Sequence, residues 1–317
     1  MVTLAELLKN QPGLAMVTNW VIALLALTTL GYWLLLWFRP SPSLPKIGSR
    51  IAFLWVMTSF FVLAILYSFK ILILYIWFIA FLALKEFFSM TPTRRTDRRV
   101  LFWAYLSLPI QFILILLERR NAFIMYVPIH VFMVLPIVMI LISEPRGFLR
   151  AWSTIGWSII TTVYSLGYLA YLLVLPVASK PTVGGSGLFL FLVGLAQLSH
   201  AAQFVFGRLF PDPRLSLKVS KTRNWASLLG SILVTTPVAW LAAPWLTPFT
   251  PGEALVMGVI IAMGAFVGYI ILSAVKTDLQ IKDRGTMTPG HGGVLNRIDT
   301  FIYTAPLFFY LAMAWHY

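Results

Sequence analysis

Cysteine is absent from the 317 residues, which excludes disulfides, thiolate metal sites and cysteine nucleophiles. Acid is scarce as well: ten Asp and Glu stand against 24 Lys and Arg, and there are only four histidines. Any centre built on carboxylates therefore has few residues to draw on. Charged residues make up only 11% of the chain, which excludes an ordinary soluble domain. There is no internal repeat and no low-complexity tract. What is abundant is apolar, with 60% hydrophobic residues and a mean hydropathy of +0.87.

Apolar runs of about 20 residues recur, each long enough to cross a hydrocarbon core. After a short N-terminal segment read as an interfacial helix, ten spans are expected. They are Val17 to Phe38, Ile51 to Phe69, a third ending near Met90, Val100 to Leu117, Ala122 to Ile142 and Ala151 to Pro176. Leu188 to Phe206, an eighth ending near Leu246, Ala254 to Val275 and Phe301 to His316 complete the set. The fold class expected is an all-α integral membrane protein, a polytopic bundle forming one membrane domain over residues 1–317. Most of the 24 Lys and Arg fall in loops on one side, which the positive-inside rule makes cytoplasmic, with both termini outside. The net charge of +14 then points to anionic lipid head groups and not to nucleic acid. Two intramembrane polar residues read as structural first: Glu86, beside a snorkelling Lys85 at a helix end, and His130, as a packing or hydrogen-bonding residue.

Between the last two apolar runs lies an island of charge and glycine, Ser273 to Thr300, on the cytoplasmic side. It holds Asp278, Asp283 and Asp299, the cations Lys276, Lys282, Arg284 and Arg297, and His291 followed by Gly292 and Gly293. Asp283 and Asp299 are hard oxygen ligands of the kind Mg²⁺ takes. The glycines let backbone amides approach a phosphate. Lys276, Lys282 and Arg297 suit neutralisation of charge on a transferring phosphoryl group, and His291 could orient a phosphate or accept a proton.

The order of these residues resembles the signature of the CDP-diacylglycerol synthases (phosphatidate cytidylyltransferases). Ser273, Lys276, Lys282-Asp283, Gly285, His291-Gly292-Gly293, Arg297 and Asp299 match that signature in order and nearly in spacing. Weaker likeness extends to Leu82 to Phe88, to Ala202 to Phe210 and to Ser220-Lys221-Thr222. Residues 187–317 carry the signature, whereas 1–186, apart from Leu82 to Phe88, match by hydropathy alone. The resemblance implies an all-helical bundle with a polar cavity open to the cytoplasm, in a bacterial inner membrane. The reaction implied joins CTP to phosphatidate, or a related anionic lipid phosphate, giving CDP-diacylglycerol and pyrophosphate. Lys276, Lys282, Asp283, His291 and Arg297 would be catalytic. Ser273, Gly292, Gly293, Lys221, Arg208 and His200 would bind substrate, and Asp283, Asp299 and Asn296 would hold Mg²⁺, with a second cation and a homodimer left open.

The sequence also departs from the family pattern. Thr277 stands where the resemblance has arginine, and Asn296 replaces the first aspartate of Asp-Arg-x-Asp. Tyr269 and Leu272 fall where acidic residues are expected, His200 about where another aspartate would be, and Arg223-Asn224 replaces Trp-Glu. Two other readings therefore stay open. One is a non-catalytic relative that binds lipid or a membrane enzyme. The other is a transporter or channel, which the small number of intramembrane charges disfavours.

Overall fold

The computed structural model describes residues 68–91, 98–142, 146–176, 184–210, 216–217, 220–279 and 293–317, with a few isolated positions before residue 56. Eight helices there are long and apolar enough to cross a membrane: α1 Phe69–Met90, α2 Arg98–Leu116, α3 Arg120–Ile142, α4 Phe148–Val174, α5 Gly184–Leu209, α6 Trp225–Leu246, α7 Pro251–Asp278 and α8 Leu295–His316. The protein is an all-α integral membrane protein. Its first two expected spans lie almost wholly outside the described residues, although Trp55 Nε1 donates to Thr29 Oγ1 at 2.9 Å. The one pair of strands described, β1 Ser216–Leu217 and β2 Ser220–Asn224, forms an antiparallel hairpin in the connector between α5 and α6.

Helices α5, α6, α7 and α8 pack in succession, and α8 then lies against α4. Leu229, Leu233 and Leu241 of α6 point outward and exposed, a surface suited to acyl chains, since lipid tails are as apolar as leucine. The interior is packed with Phe123, Tyr168, Phe191, Phe308 and Phe309. Two expected span limits need correction. The span expected to begin at Leu188 begins at Gly184, so Gly184 to Gly187 already belong to α5. Gly185 lies so close to the Leu172 carbonyl that any side chain would collide with it. Likewise Phe69, expected to end the second span, begins α1, which Ser68 caps by accepting from the Lys70 N–H.

Pro128 has no N–H to offer the preceding turn of α3, and the helix opens into a π-turn over Tyr126–Val131. The carbonyls so released find side-chain donors from neighbouring spans. Gln111 Nε2 donates to the Phe123 carbonyl at 3.3 Å, and the Tyr164 hydroxyl donates to that of Ile124 at 3.0 Å. His130 bonds locally to the Met125 carbonyl at 3.3 Å and is exposed, in keeping with a hydrogen-bonding role. Tyr168 donates to Tyr164 at 2.6 Å, so its own oxygen accepts from Tyr310, also at 2.6 Å. Three phenols thus relay one donor each towards the proline-freed carbonyl. Tyr168→Phe breaks this relay in the middle and should cost about 1–3 kcal/mol, read as a fall in Tm of the purified protein. An unchanged Tm would show that the relay contributes nothing.

Candidate functional site

Because successive spans run in opposite directions, the carboxyl ends of α1, α5 and α7 and the amino ends of α6 and α8 meet at one end of the bundle. The polar residues of the C-terminal half gather there. Arg223, the fourth residue of β2, turns inward and is buried, 3% exposed. Its Nη1 donates to Gln203 Oε1 at 2.7 Å, and its Nη2 lies 3.3 Å from His200 Nδ1. Arginine only donates, so the imidazole accepts through that nitrogen. The guanidinium also stands over the Tyr269 ring, 4.4 Å from its centroid, a cation–π contact strengthened by desolvation. Burial pushes the Arg223 pKa down, while Tyr269 and the charge of Asp299 push it back up.

Gln203 fixes this arginine from behind. Its Nε2 donates to Ser199 Oγ at 3.0 Å on its own helix and to the Ala262 carbonyl at 3.3 Å on α7. Asn224 caps α6, accepting from the Ser227 N–H at 2.8 Å and donating to the Phe210 carbonyl at 2.7 Å. The hairpin strand is thereby tied at both faces, and Arg223 is held in place.

Asp299 begins the apolar run of α8 and is buried, 3% exposed. Its Oδ1 accepts from the Thr300 N–H at 2.6 Å, and the charges of Arg223 and Lys276 both reach its carboxylate. Helix α7 approaches so closely that a Cβ at Gly268 would lie 2.1 Å from the Asp299 carbonyl oxygen. Gly268→Val should therefore push α8 away and lower both Tm and ligand binding. A variant that melts and binds as wild type would argue against this tight contact. Lys276 lies in the last turn of α7, half-buried, one turn beyond Ser273, whose carbonyl accepts from Thr277 Oγ1 at 2.8 Å.

The structure thus sets His200 against Arg223, and brings Asp299 within reach of the charges of both Arg223 and Lys276. Arg297 is half-buried in the turn before Asp299, with its charge felt by Tyr75 of α1. Asn296 lies in the same turn, its N–H donating to the Gly293 carbonyl at 3.3 Å. Arg208 is exposed at the end of α5, two turns beyond His200, or about 12 Å along the helix. Lys221 is placed in β2, two residues before Arg223, by its backbone. Lys282, Asp283, His291 and Gly292 lie outside the described residues.

Sequence reasoning passed over two participants. Arg223 looked like one more cation of a basic connector. Glu86 was set aside as a helix end; Lys85 is indeed exposed, but Glu86 is buried, 6% exposed, and its Oε2 accepts the Leu295 N–H at 3.1 Å. The signal for Glu86 was present: a carboxylate in an apolar run needs a partner.

Among the described residues no three Asp, Glu or His side chains are grouped so as to hold a metal ion. Asp299 fits as one carboxylate ligand of an ion that a polyphosphate also binds, the usual mode for Mg²⁺. The His200–Tyr269 side does not fit, because a guanidinium lies against it.

A polytopic helical bundle with a buried arginine and a buried carboxylate at one end defines an all-α integral membrane protein with a polar site. The profile of the cytidylyltransferase family matches residues 48–315, and the chain belongs to that family. It is 33% identical over 290 residues to the uncharacterized protein YnbB of Escherichia coli (strain K12), covering 92% of this chain and 95% of YnbB. The phosphatidate cytidylyltransferase of Synechocystis sp. is 33% identical over 113 residues, 35% of this chain and 38% of that enzyme. That of Haemophilus influenzae is 29% identical over 131 residues, 40% of this chain and 46% of the enzyme. The chain thus matches less than half the length of these two enzymes.

Proposed function

We propose that the protein is a nucleotidyltransferase that makes CDP-diacylglycerol and pyrophosphate from CTP and phosphatidate, at the cytoplasmic face of a bacterial plasma membrane. The observation that supports this reading is the convergence of Arg223, Lys276 and Asp299 at the bundle end from which the signature segment departs. An oxygen of the lipid phosphate attacks the α-phosphorus of CTP. The bond from that phosphorus to the oxygen bridging it to the β-phosphorus breaks, and pyrophosphate leaves with the electron pair. Lys276 and Arg297 hold phosphate oxygens and offset charge as it builds on them. Arg223 supplies a fixed positive field from behind, and His291 with the glycines beside it shapes the nucleotide pocket. Lys221 and Arg208 meet the lipid phosphate where the chain leaves the bilayer. Mg²⁺, held by the triphosphate, Asp299 and Asp283, would screen the phosphates and align the leaving group when bound.

The replaced acidic positions, His200 and Tyr269, favour a second reading, a relative that binds lipid or a membrane enzyme without catalysis. Radiolabelled CTP separates the two. Membranes containing the protein should incorporate label into lipid when given phosphatidate, and Lys276→Met should reduce incorporation about 100-fold. Background incorporation by the wild-type protein, with CTP still bound, would overturn the catalytic reading in favour of the second.

A further inference from the structure

Mg²⁺ and Mn²⁺ take shells of hard oxygen ligands that usually include a carboxylate. Where α5, β2 and α7 meet, the polar side chains brought into contact are an imidazole, an amide, a phenol and a guanidinium: His200, Gln203, Tyr269 and Arg223. Gln203 spends its oxygen on Arg223 and its nitrogen on Ser199 and Ala262. Asn224, standing where the resemblance has a glutamate, spends its side chain capping α6. Among these described side chains no oxygen is left for a metal except the Tyr269 phenol, a poor ligand while protonated. The place between His200 and Tyr269 is filled by Arg223 itself, 3.3 Å from the imidazole and 4.4 Å from the ring centroid.

We infer that Arg223 takes the place of a second divalent cation, so that the site runs on a single ion delivered with the nucleotide and held by Asp299. The inference rests on the proposed reaction. The charge balance supports it. Two carboxylates with a divalent ion sum to zero, whereas neutral histidine and tyrosine with arginine sum to plus one. This cluster therefore carries a net positive charge towards phosphate without a bound metal. Its charge is covalently fixed and does not depend on free ion concentration. Departures that look like decay of a metal site become a coordinated exchange: the acids go and a buried cation comes in.

The test counts metal. The full chain, in lipid nanodiscs with phosphatidate absent, is titrated with Mn²⁺ at saturating CTP, following free Mn²⁺ by electron paramagnetic resonance and bound CTP by equilibrium dialysis. One protein-bound Mn²⁺ per bound CTP is expected, and two would overturn the inference while leaving the reaction intact. Failure to bind CTP would overturn the proposed function and this inference with it. Arg223→Gln should weaken CTP binding about tenfold, since the site loses a buried positive charge while glutamine keeps much of the shape. The Arg223→Gln, Tyr269→Asp pair should recover binding only as Mn²⁺ rises, with a second ion now bound. If the pair misfolds, the wild-type count still decides.

Discussion

Replacing Asp299 by asparagine should lower CTP-dependent lipid labelling by about 100-fold or more while the protein remains folded in the membrane. Asparagine keeps the shape and an oxygen that can accept the Thr300 N–H, now at 2.6 Å. It removes the negative charge that sits within reach of both Arg223 and Lys276. Those two cations then lose the negative charge that offsets theirs. The ion brought by the nucleotide loses its carboxylate. The effect on stability is smaller because two terms oppose. A buried carboxylate is costly to desolvate, and a neutral amide is less so. Arg223 keeps its bonds to Gln203 and His200 even when the carboxylate has gone. A fall of a few degrees in Tm is therefore expected beside the large loss of labelling. Wild-type labelling by Asp299→Asn would remove Asp299 from the chemistry. Loss of folding along with activity would make it structural, and Lys276→Met would then carry the catalytic case alone.

Much of the bundle was legible because hydropathy and breakers agree. The apolar run of α8 from Phe301 to His316 is bounded by Asp299 and Thr300, and α6 by Asn224 and Thr247. Glycine misled at α5, where the run Gly184 to Gly187 has the composition of a loop yet is helical, with Gly185 against the α4 backbone. The π-turn of α3 could be located only as a place where Pro128 must free carbonyls, and which side chains fill them depends on α2 and α4. The site was legible where it is local, from Ser273 to Asp299. Its other half was hidden. Whether Arg223 is solvated or buried depends on the hairpin folding back onto α5 and α7, and no spacing within the connector encodes that contact. The replaced acids at His200 and Tyr269 were visible one by one. Their shared partner was not.

Glu86 joins the two ends of the described chain. Its bond to Leu295 bridges a sequence separation of 209 residues, and its carboxylate lies where a Cβ on Gly293 would stand, 1.4 Å from Oε1. It therefore anchors α1 to the turn that carries Asn296, Arg297 and Asp299. Glu86→Leu removes the acceptor and leaves the buried Leu295 N–H unsatisfied, which should cost about 3 kcal/mol. Glu86→Gln keeps an oxygen for the same N–H and should cost about 1 kcal/mol. The two variants separate anchoring from chemistry. If Glu86 only positions the turn, labelling should follow acceptor strength, near wild type for glutamine and at least tenfold reduced for leucine, with Tm falling in the same order. If the carboxylate itself meets substrate or metal, glutamine should lose activity as fully as leucine while keeping most of its Tm. Equal Tm for both variants and the wild type would show that the 3.1 Å bond contributes nothing to holding the signature turn against α1.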